Sequence, residues 1–305
     1  MAVPSSGTIS LAGIRAELAT NTYNASATTT ASLEDCSDGT VATINTGNAS
    51  SDRPNGSAPH AMSEFYAYDH DLSSFNDNIS FDFDGANDYL EGAGNLANAI
   101  SVSTGSISTW IKIDSMSANG LIWAINTEEG STDQIFLLWH NASGVVRSNF
   151  KGGNVANIAD SGSGLENDNT WHHFVVTWQA VAKASGNIIK IYQDGSLQDS
   201  DAIGTVFSGS PAIFGFGRNA LQNFGQNFNG HMNDMAIFND VLTSSEVSAI
   251  YNSGTPKDES SHSGLISYYT LEGYSDGDTT VADDSSNSHT LTITNSTNID
   301  STDTP

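Results

Sequence analysis

The sequence predicts an all-β protein, a two-sheet β-sandwich, preceded by a small, mostly irregular N-terminal module that carries short helices. Three observations lead there. From Ile79 onward apolar residues recur at a period of two in short runs. Clusters of Gly, Asn, Ser and Asp separate those runs, which argues for a sandwich rather than βαβ units. The acidic residues are 25 Asp against 10 Glu, amid abundant Ser, Thr, Asn and Gly, a turn-rich and helix-poor vocabulary.

In chain order, residues 1–72 form the module. In SLAGIRAELA, Leu11, Ile14 and Leu18 stand at i, i+3 and i+7 behind Ser10, a narrow helical stripe with its N-cap. A Thr/Ala/Ser-rich loop, the segment SLEDC and a Gly/Asn/Ser/Pro-rich run from Thr46 to Pro59 follow. HAMSEFYAYDHD then offers Met62, Phe65 and Tyr66 as one short apolar face. So small an apolar inventory predicts that the module holds no core of its own and orders against a neighbour. Residues 73–78 read as a linker and 79–305 as the sandwich.

Within the sandwich, ISFDF turns Ile79, Phe81 and Phe83 to one face. SISTWIKI, QIFLLWH, WHHFVVTW, NIIKIYQDG, SPAIFGFG and HMNDMAIF are further strands, several apolar on both faces as buried strands are. A short helix from Thr243 to Tyr251 opens on a Thr243/Glu246 capping box and stops at Gly254 and Pro256. The segment Gly264 to Thr294 is placed at the sandwich edge.

Six segments in order, FDGANDYLE, STWIKID, TWHHFVVTW, IYQDGSL, IFGFGRN and FNGHMNDMAIFNDVLTSSEVSAIYNSG, resemble laminin-G-like (concanavalin A-type) jelly rolls over residues 79–254. GLISYYTLEGYSDGDTTVADDSSNSHTLTIT resembles the strand pair that flanks these domains, with Ser286 where Gly is usual. The resemblance implies a module that binds glycans or proteins far more often than it catalyses. PSSGTISLAGIRAEL and RPNGSAPHAMSEFYAYDH resemble a small module near the ends of bacteriophage tail-fibre and virion proteins, with Ala67 in place of a usual Gly.

Nine Lys+Arg against 35 Asp+Glu give a formal net charge of -26. Such a field repels phosphate backbones and anionic bilayers, so nucleic-acid partners and membrane insertion are not expected. Cys36 is the single cysteine, so no internal disulfide forms, and neither a signal peptide nor an apolar run of membrane-spanning length is visible. An outward-looking recognition module without an export signal points to a virion, assembled in the host cytoplasm and released by lysis.

Trp110, Trp171 and Trp178 lie in strand patterns, where core packing is the plain reading. Adjacent His172 and His173 point to opposite faces of a strand and cannot share a metal. No zinc motif is present, and GFGRNA reads as a tight strand turn rather than a dinucleotide fingerprint. Glucanases on this jelly roll use an E-x-D-x-x-E strand; none of the ten Glu has that spacing, so an enzyme is not expected. Exposed aromatics beside polar groups suit a sugar, which makes Trp123, Trp139, His140 and Asn141 the candidate glycan-binding residues. Laminin-G-like relatives often hold calcium at one sandwich edge. By that resemblance Asp84, Asp88, Asp234, Asp283 and Asn287 are candidate calcium ligands.

The expected function is therefore non-catalytic recognition of a host-surface glycan by a bacteriophage virion protein in a tail fibre, baseplate appendage or head fibre. Residues 1–72 would bind other virion proteins, and the chain would form a homo-oligomer in the particle. The alternatives are a structural capsid or tail decoration protein with no sugar binding, and a cellular adhesin or matrix lectin.

Overall fold

The computed structural model describes residues 3–23, 25–26, 30–45, 53–68, 70, 79–92, 94–116, 118–126, 134–152, 155–163, 165, 169–181, 186–204, 210–217, 226–295, 299–300 and 303–305. The chain divides into two units, Met1–Asn76 and Asp77–Pro305.

In the first unit, helix α1 (Leu11–Thr20) begins where the Ser10 side chain accepts the Gly13 N–H at 3.0 Å, and ends on Asn21 in the left-handed region. Helix α2 (Leu33–Ser37) opens on a capping box between Ser32 and Asp35. A 3₁₀ turn (Met62–Phe65) follows. The expectation of a module without a core is corrected here. Ile14, Leu18, Cys36, Phe65 and Tyr68 are buried in a cluster with Val3 and Ile9, and the Val3 N–H donates to the Tyr68 carbonyl at 2.8 Å. Pairing the two ends of the segment gathers apolar residues that lie far apart in sequence. Met62 is not part of that cluster and is exposed.

The second unit is a sandwich of two eight-stranded antiparallel sheets, which is the fold class expected from the sequence. The first sheet contains β1 (Ser80–Asp84), β3 (Thr104–Ile113), β8 (Trp171–Gln179), β9 (Ile188–Gln193), β10 (Ser196–Ala202), β12 (Asn229–Phe238), β13 (Leu265–Tyr269) and β16 (Ile299–Asp300). Its order is β10-β9-β8-β3-β12-β1-β16, with β13 beside the second half of β12. The second sheet contains β2 (Tyr89–Gly92), β4 (Gly120–Asn126), β5 (Gln134–His140), β6 (Val146–Gly152), β7 (Val155–Asp160), β11 (Ile213–Phe216), β14 (Thr280–Val281) and β15 (Leu291–Thr294). Its order is β14-β15-β2-β11-β4-β5-β6-β7.

Strand alternation decides what goes between the sheets. Phe81 and Phe83 of β1 face inward while Asp82 and Asp84 face out, and Phe174, Val176 and Trp178 of β8 do the same. Trp178 lies over its cross-strand partner Gly105, where a Cβ would strike the indole. The β9–β10 hairpin turns on Asp194 and Gly195, both at positive φ, the geometry that matches strand twist. At one flank of the sandwich the Asp199 and Asp201 carboxylates of β10 accept the Asp160 and Ile158 N–H groups of β7, at 3.1 and 3.0 Å. Edge donors that could pair with another chain are thereby covered with negative charge.

Helix α4 (Ser244–Tyr251) has the expected capping box: Thr243 Oγ1 accepts the Glu246 N–H and Glu246 Oε2 accepts the Thr243 N–H. It stops at Asn252, in the left-handed region, two residues before the expected Gly254. Tyr251 stacks on Trp110 and His173, on the outer face of the first sheet, with centroids 5.7 and 6.0 Å away. A helix α3 (Gly94–Ala99) follows β2. The GFGRNA turn beyond Gly217 lies outside the described residues.

A polar pocket at one end of the sandwich

The β1–β2 turn, the β3–β4 connection, the start of β12 and the end of β5 meet around a pocket of about 130 Å³. Asp84, Ser115, Asn119, His140, Asn227 and Asn229 supply its polar lining. The turn is built by Asp84 itself, whose Oδ1 accepts the N–H groups of Ala86 (2.7 Å) and Asn87 (3.1 Å). Gly85 sits at φ +74, and a Cβ there would come within 2.9 Å of Asn229 Cβ, so the position needs glycine on both counts. Asn229 donates to the Asp84 carbonyl at 2.9 Å, and Asn227 donates to the Ala86 carbonyl. These amides lock the turn against β12 and leave the Asp84 carboxylate exposed at the pocket edge.

His140 ends β5 with its side chain on the inward face, opposite Gly120 and Val146. It is 1 % exposed, its ring lies 5.9 Å from Phe228, and Gly120 is bare where any side chain would strike the imidazole. Burial pushes its pKa down to about 4, so the ring is neutral at pH 7. Among the described residues neither ring nitrogen makes a well-formed hydrogen bond. A neutral imidazole carries one N–H donor and one acceptor lone pair; the Asn141 backbone can engage one of them, and at least one is left unused beside the polar pocket.

The four residues expected to bind glycan do not come together. Trp123 of β4 is fully buried and faces the core across from Leu138 and Phe216, so it offers no ring to a sugar; that expectation is corrected. Trp139 lies on the opposite face of β5 from His140, packed against Leu121 and Ala124. Its ring is covered by the Arg147 guanidinium at 5.5 Å, which a two-point ion pair to Asp160 (2.6 and 2.7 Å) holds in place. Asn141 braces its own turn by accepting the Ser143 and Val145 N–H groups. Only His140 of the four lines the pocket.

The five expected calcium ligands are likewise dispersed. Asp88 is turned inward and nearly buried, with Oδ2 on the Asp84 N–H at 3.1 Å; burial raises its pKa. Asp84 pairs with Asn229, and Asp234 lies five residues further along β12, about 17 Å away at strand rise. There Asp234 is a bulge residue at φ 50, buried and bonded to the Tyr268 hydroxyl. Asp283 accepts the N–H groups of Tyr268, Ser285 and His289 at 2.8–2.9 Å, and Asn287 donates to the Leu265 and Ile266 carbonyls. Those two brace the chain between β14 and β15. Calcium needs six to eight converging oxygens, and this set does not assemble them.

The pocket residues not foreseen are Ser115, Asn119, Asn227 and Asn229. The alternation of Asn227 and Asn229 around Phe228 was a usable signal, since it puts both amides on one side of the strand leading into β12.

The sequence profile of the concanavalin A-like lectin/glucanases superfamily matches residues 84–248. No curated protein matches the sequence. Among solved structures, a candidate carbohydrate-binding protein of Bacteroides ovatus is 18% identical, with a TM-score of 0.53 over 75% of this chain and 61% of that one. A heptameric SAP-like pentraxin of Limulus polyphemus is 14% identical, with a TM-score of 0.46 over 59% and 84% of the two chains. The CBM40 of a Ruminococcus gnavus IT-sialidase is 16% identical, with a TM-score of 0.44 over 57% and 96%. The chain thus spans less than two thirds of the Bacteroides protein, and the likeness to it is one of fold.

Proposed function

This chain belongs to the concanavalin A-like lectin/glucanases superfamily, and on that premise we propose that its sandwich is a non-catalytic glycan-recognition domain whose binding site is the pocket around His140 and Asp84. One observation carries the reading: a buried, neutral imidazole whose hydrogen bonding is incomplete lines a pocket otherwise walled mainly by an exposed carboxylate and amides. Leaving a buried polar group unpaired costs about 1–3 kcal/mol, a cost a bound ligand offsets. Sugar hydroxyls both donate and accept, so they can meet an unpaired imidazole nitrogen in either its donor or its acceptor form, and the Asp84 carboxylate beside it. A pocket of about 130 Å³ suits the end-on entry of a single sugar residue.

Glycoside hydrolysis normally needs two flanking carboxyl groups, one a protonated acid. The described lining offers one, Asp84, which supports binding without turnover. The wider setting is part of the same proposal. Residues 1–72, by the resemblance of their two motifs to phage tail-fibre and virion modules, attach the chain to other virion proteins as a homo-oligomer, and the sandwich meets a host-surface glycan.

The test is a glycan-array screen of the full chain, followed by calorimetry on each hit with Asp84→Asn and Asn119→Ala. Asn at 84 keeps the turn-capping oxygen and removes the charge. Loss of one charge-assisted bond should weaken binding about tenfold to a hundredfold. Hits that bind both variants as tightly as the parent chain would place the sugar elsewhere, and a blank array would refute glycan recognition.

A further inference from the structure

The outer face of the first sheet carries a second cluster, independent of the pocket reading. Strand register puts Asp82 of β1 beside His231 of β12, and His231 beside Lys112 of β3. Asp114, just past β3, reaches back to the same point, with Oδ2 3.2 Å from His231 Nε2. One ligand-capable atom from each of Asp82, Asp114 and His231 lies within 4.8 Å of the other two. We propose that these three residues form a binding site for a divalent transition-metal ion of the zinc type.

Three features support the assignment. Asp82 and His231 are cross-strand partners whose separation the β-ladder sets, and Asp114, one residue past β3, is tied beside them by its N–H bond to the Asn229 carbonyl at 3.1 Å. The imidazole is already oriented: it is 6 % exposed, its Nδ1 lies 3.4 Å from Ser80 Oγ, and its Nε2 points at the carboxylates. A hydrogen bond on the far ring nitrogen is the usual support for a metal-binding histidine, since it fixes the tautomer and the ring plane. The neighbouring cation, Lys112, is neutralised by Asp303, whose other oxygen accepts the Trp171 indole N–H at 2.9 Å.

The donor set decides the metal. One imidazole nitrogen with two carboxylate oxygens in a compact, few-coordinate arrangement suits Zn²⁺, whereas calcium takes six to eight oxygens. A metal here would join β1, β12 and the start of the β3–β4 connection, the elements that also frame the His140 pocket.

The experiment uses the full chain, stripped with chelator and titrated calorimetrically with ZnCl₂, beside Asp114→Asn and His231→Gln. Other His–carboxylate pairs, such as His172–Asp194, can also take zinc, so the reading is the difference between proteins. The parent chain should bind one more zinc per chain than His231→Gln, and Asp114→Asn should hold that ion at least about tenfold more weakly. Asp114 is exposed, so its variant decides the matter even if His231→Gln fails to fold. Equal stoichiometry and affinity in all three proteins, no zinc uptake by the parent, or calcium bound more tightly than zinc would each overturn the proposal.

Discussion

His140 and His173 are both buried sandwich histidines that stay neutral at pH 7, and their surroundings separate structure from function. His173 stands on the outer face of β8, with Nε2 2.7 Å from Ser108 Oγ and its ring against Trp110 and Tyr251. Nε2 is satisfied, Nδ1 is buried without a hydrogen bond among the described residues, and two aromatic rings pack against the imidazole. His140 also has incomplete hydrogen bonding, but it lines a polar pocket. Burial pushes the pKa of His173 to about 3 and that of His140 to about 4. A buried polar group whose bonds are made contributes to the fold. One left unpaired is a cost, and His140 lines a pocket where a ligand can offset it.

The comparison can be broken first with acid. Both folded pKa values lie below the ordinary 6.5, so the unfolded chain takes up protons before the native one. The stability these histidines provide is complete above pH 6.5 and falls as pH drops through 6.5 toward 4. The two together should cost several kcal/mol by pH 4. Urea midpoints of the parent and His140→Leu, taken at pH 7 and pH 4.5, should differ more at the lower pH, the variant having lost its share of the slope. Identical slopes would mean His140 is not buried neutral.

Next comes His173→Leu, which leaves the Ser108 hydroxyl without its partner and removes a stacked ring; destabilisation of about 2–3 kcal/mol is expected, with glycan binding intact. A smaller effect should follow Thr243→Ala. It removes the cap of the helix that carries Tyr251, so it loosens only the His173 side, by about 1 kcal/mol, measured by thermal melting. The smallest stability change is expected for His140→Leu, within about 1 kcal/mol of the parent, because an apolar side chain removes an unpaired group. That near-neutral variant should lose the ligand altogether. If His140→Leu were instead as costly as His173→Leu, the imidazole would be a packing residue.

How much of this was legible in the sequence depends on whether the signal was local. β1, β8 and α4 were readable because alternation, aromatic content and the Thr243/Glu246 box each lie within a few residues. β4 was missed because GLIWAIN is apolar on both faces and shows no period, and that also made Trp123 look available. β10, SLQDSDA, was missed because it is polar throughout. The core of the first unit depends on Val3 meeting Tyr68, a pairing no local pattern announces.

The site shows the same divide. The alternation rule that separated His172 from His173 also separates Trp139 from His140, but which of the two faces inward depends on pairing with Gly120 and Val146. Asp84 and Asp234 look like neighbours only until the register of β1 on β12 is known.

The most direct test of the central claim is nitrogen-resolved NMR of the histidine imidazoles while a glycan-array hit is titrated into the full chain. The His140 Nδ1 and Nε2 resonances should shift and saturate with the calorimetric isotherm while those of His173 stay fixed. Saturation of binding with His140 unmoved would contradict the account.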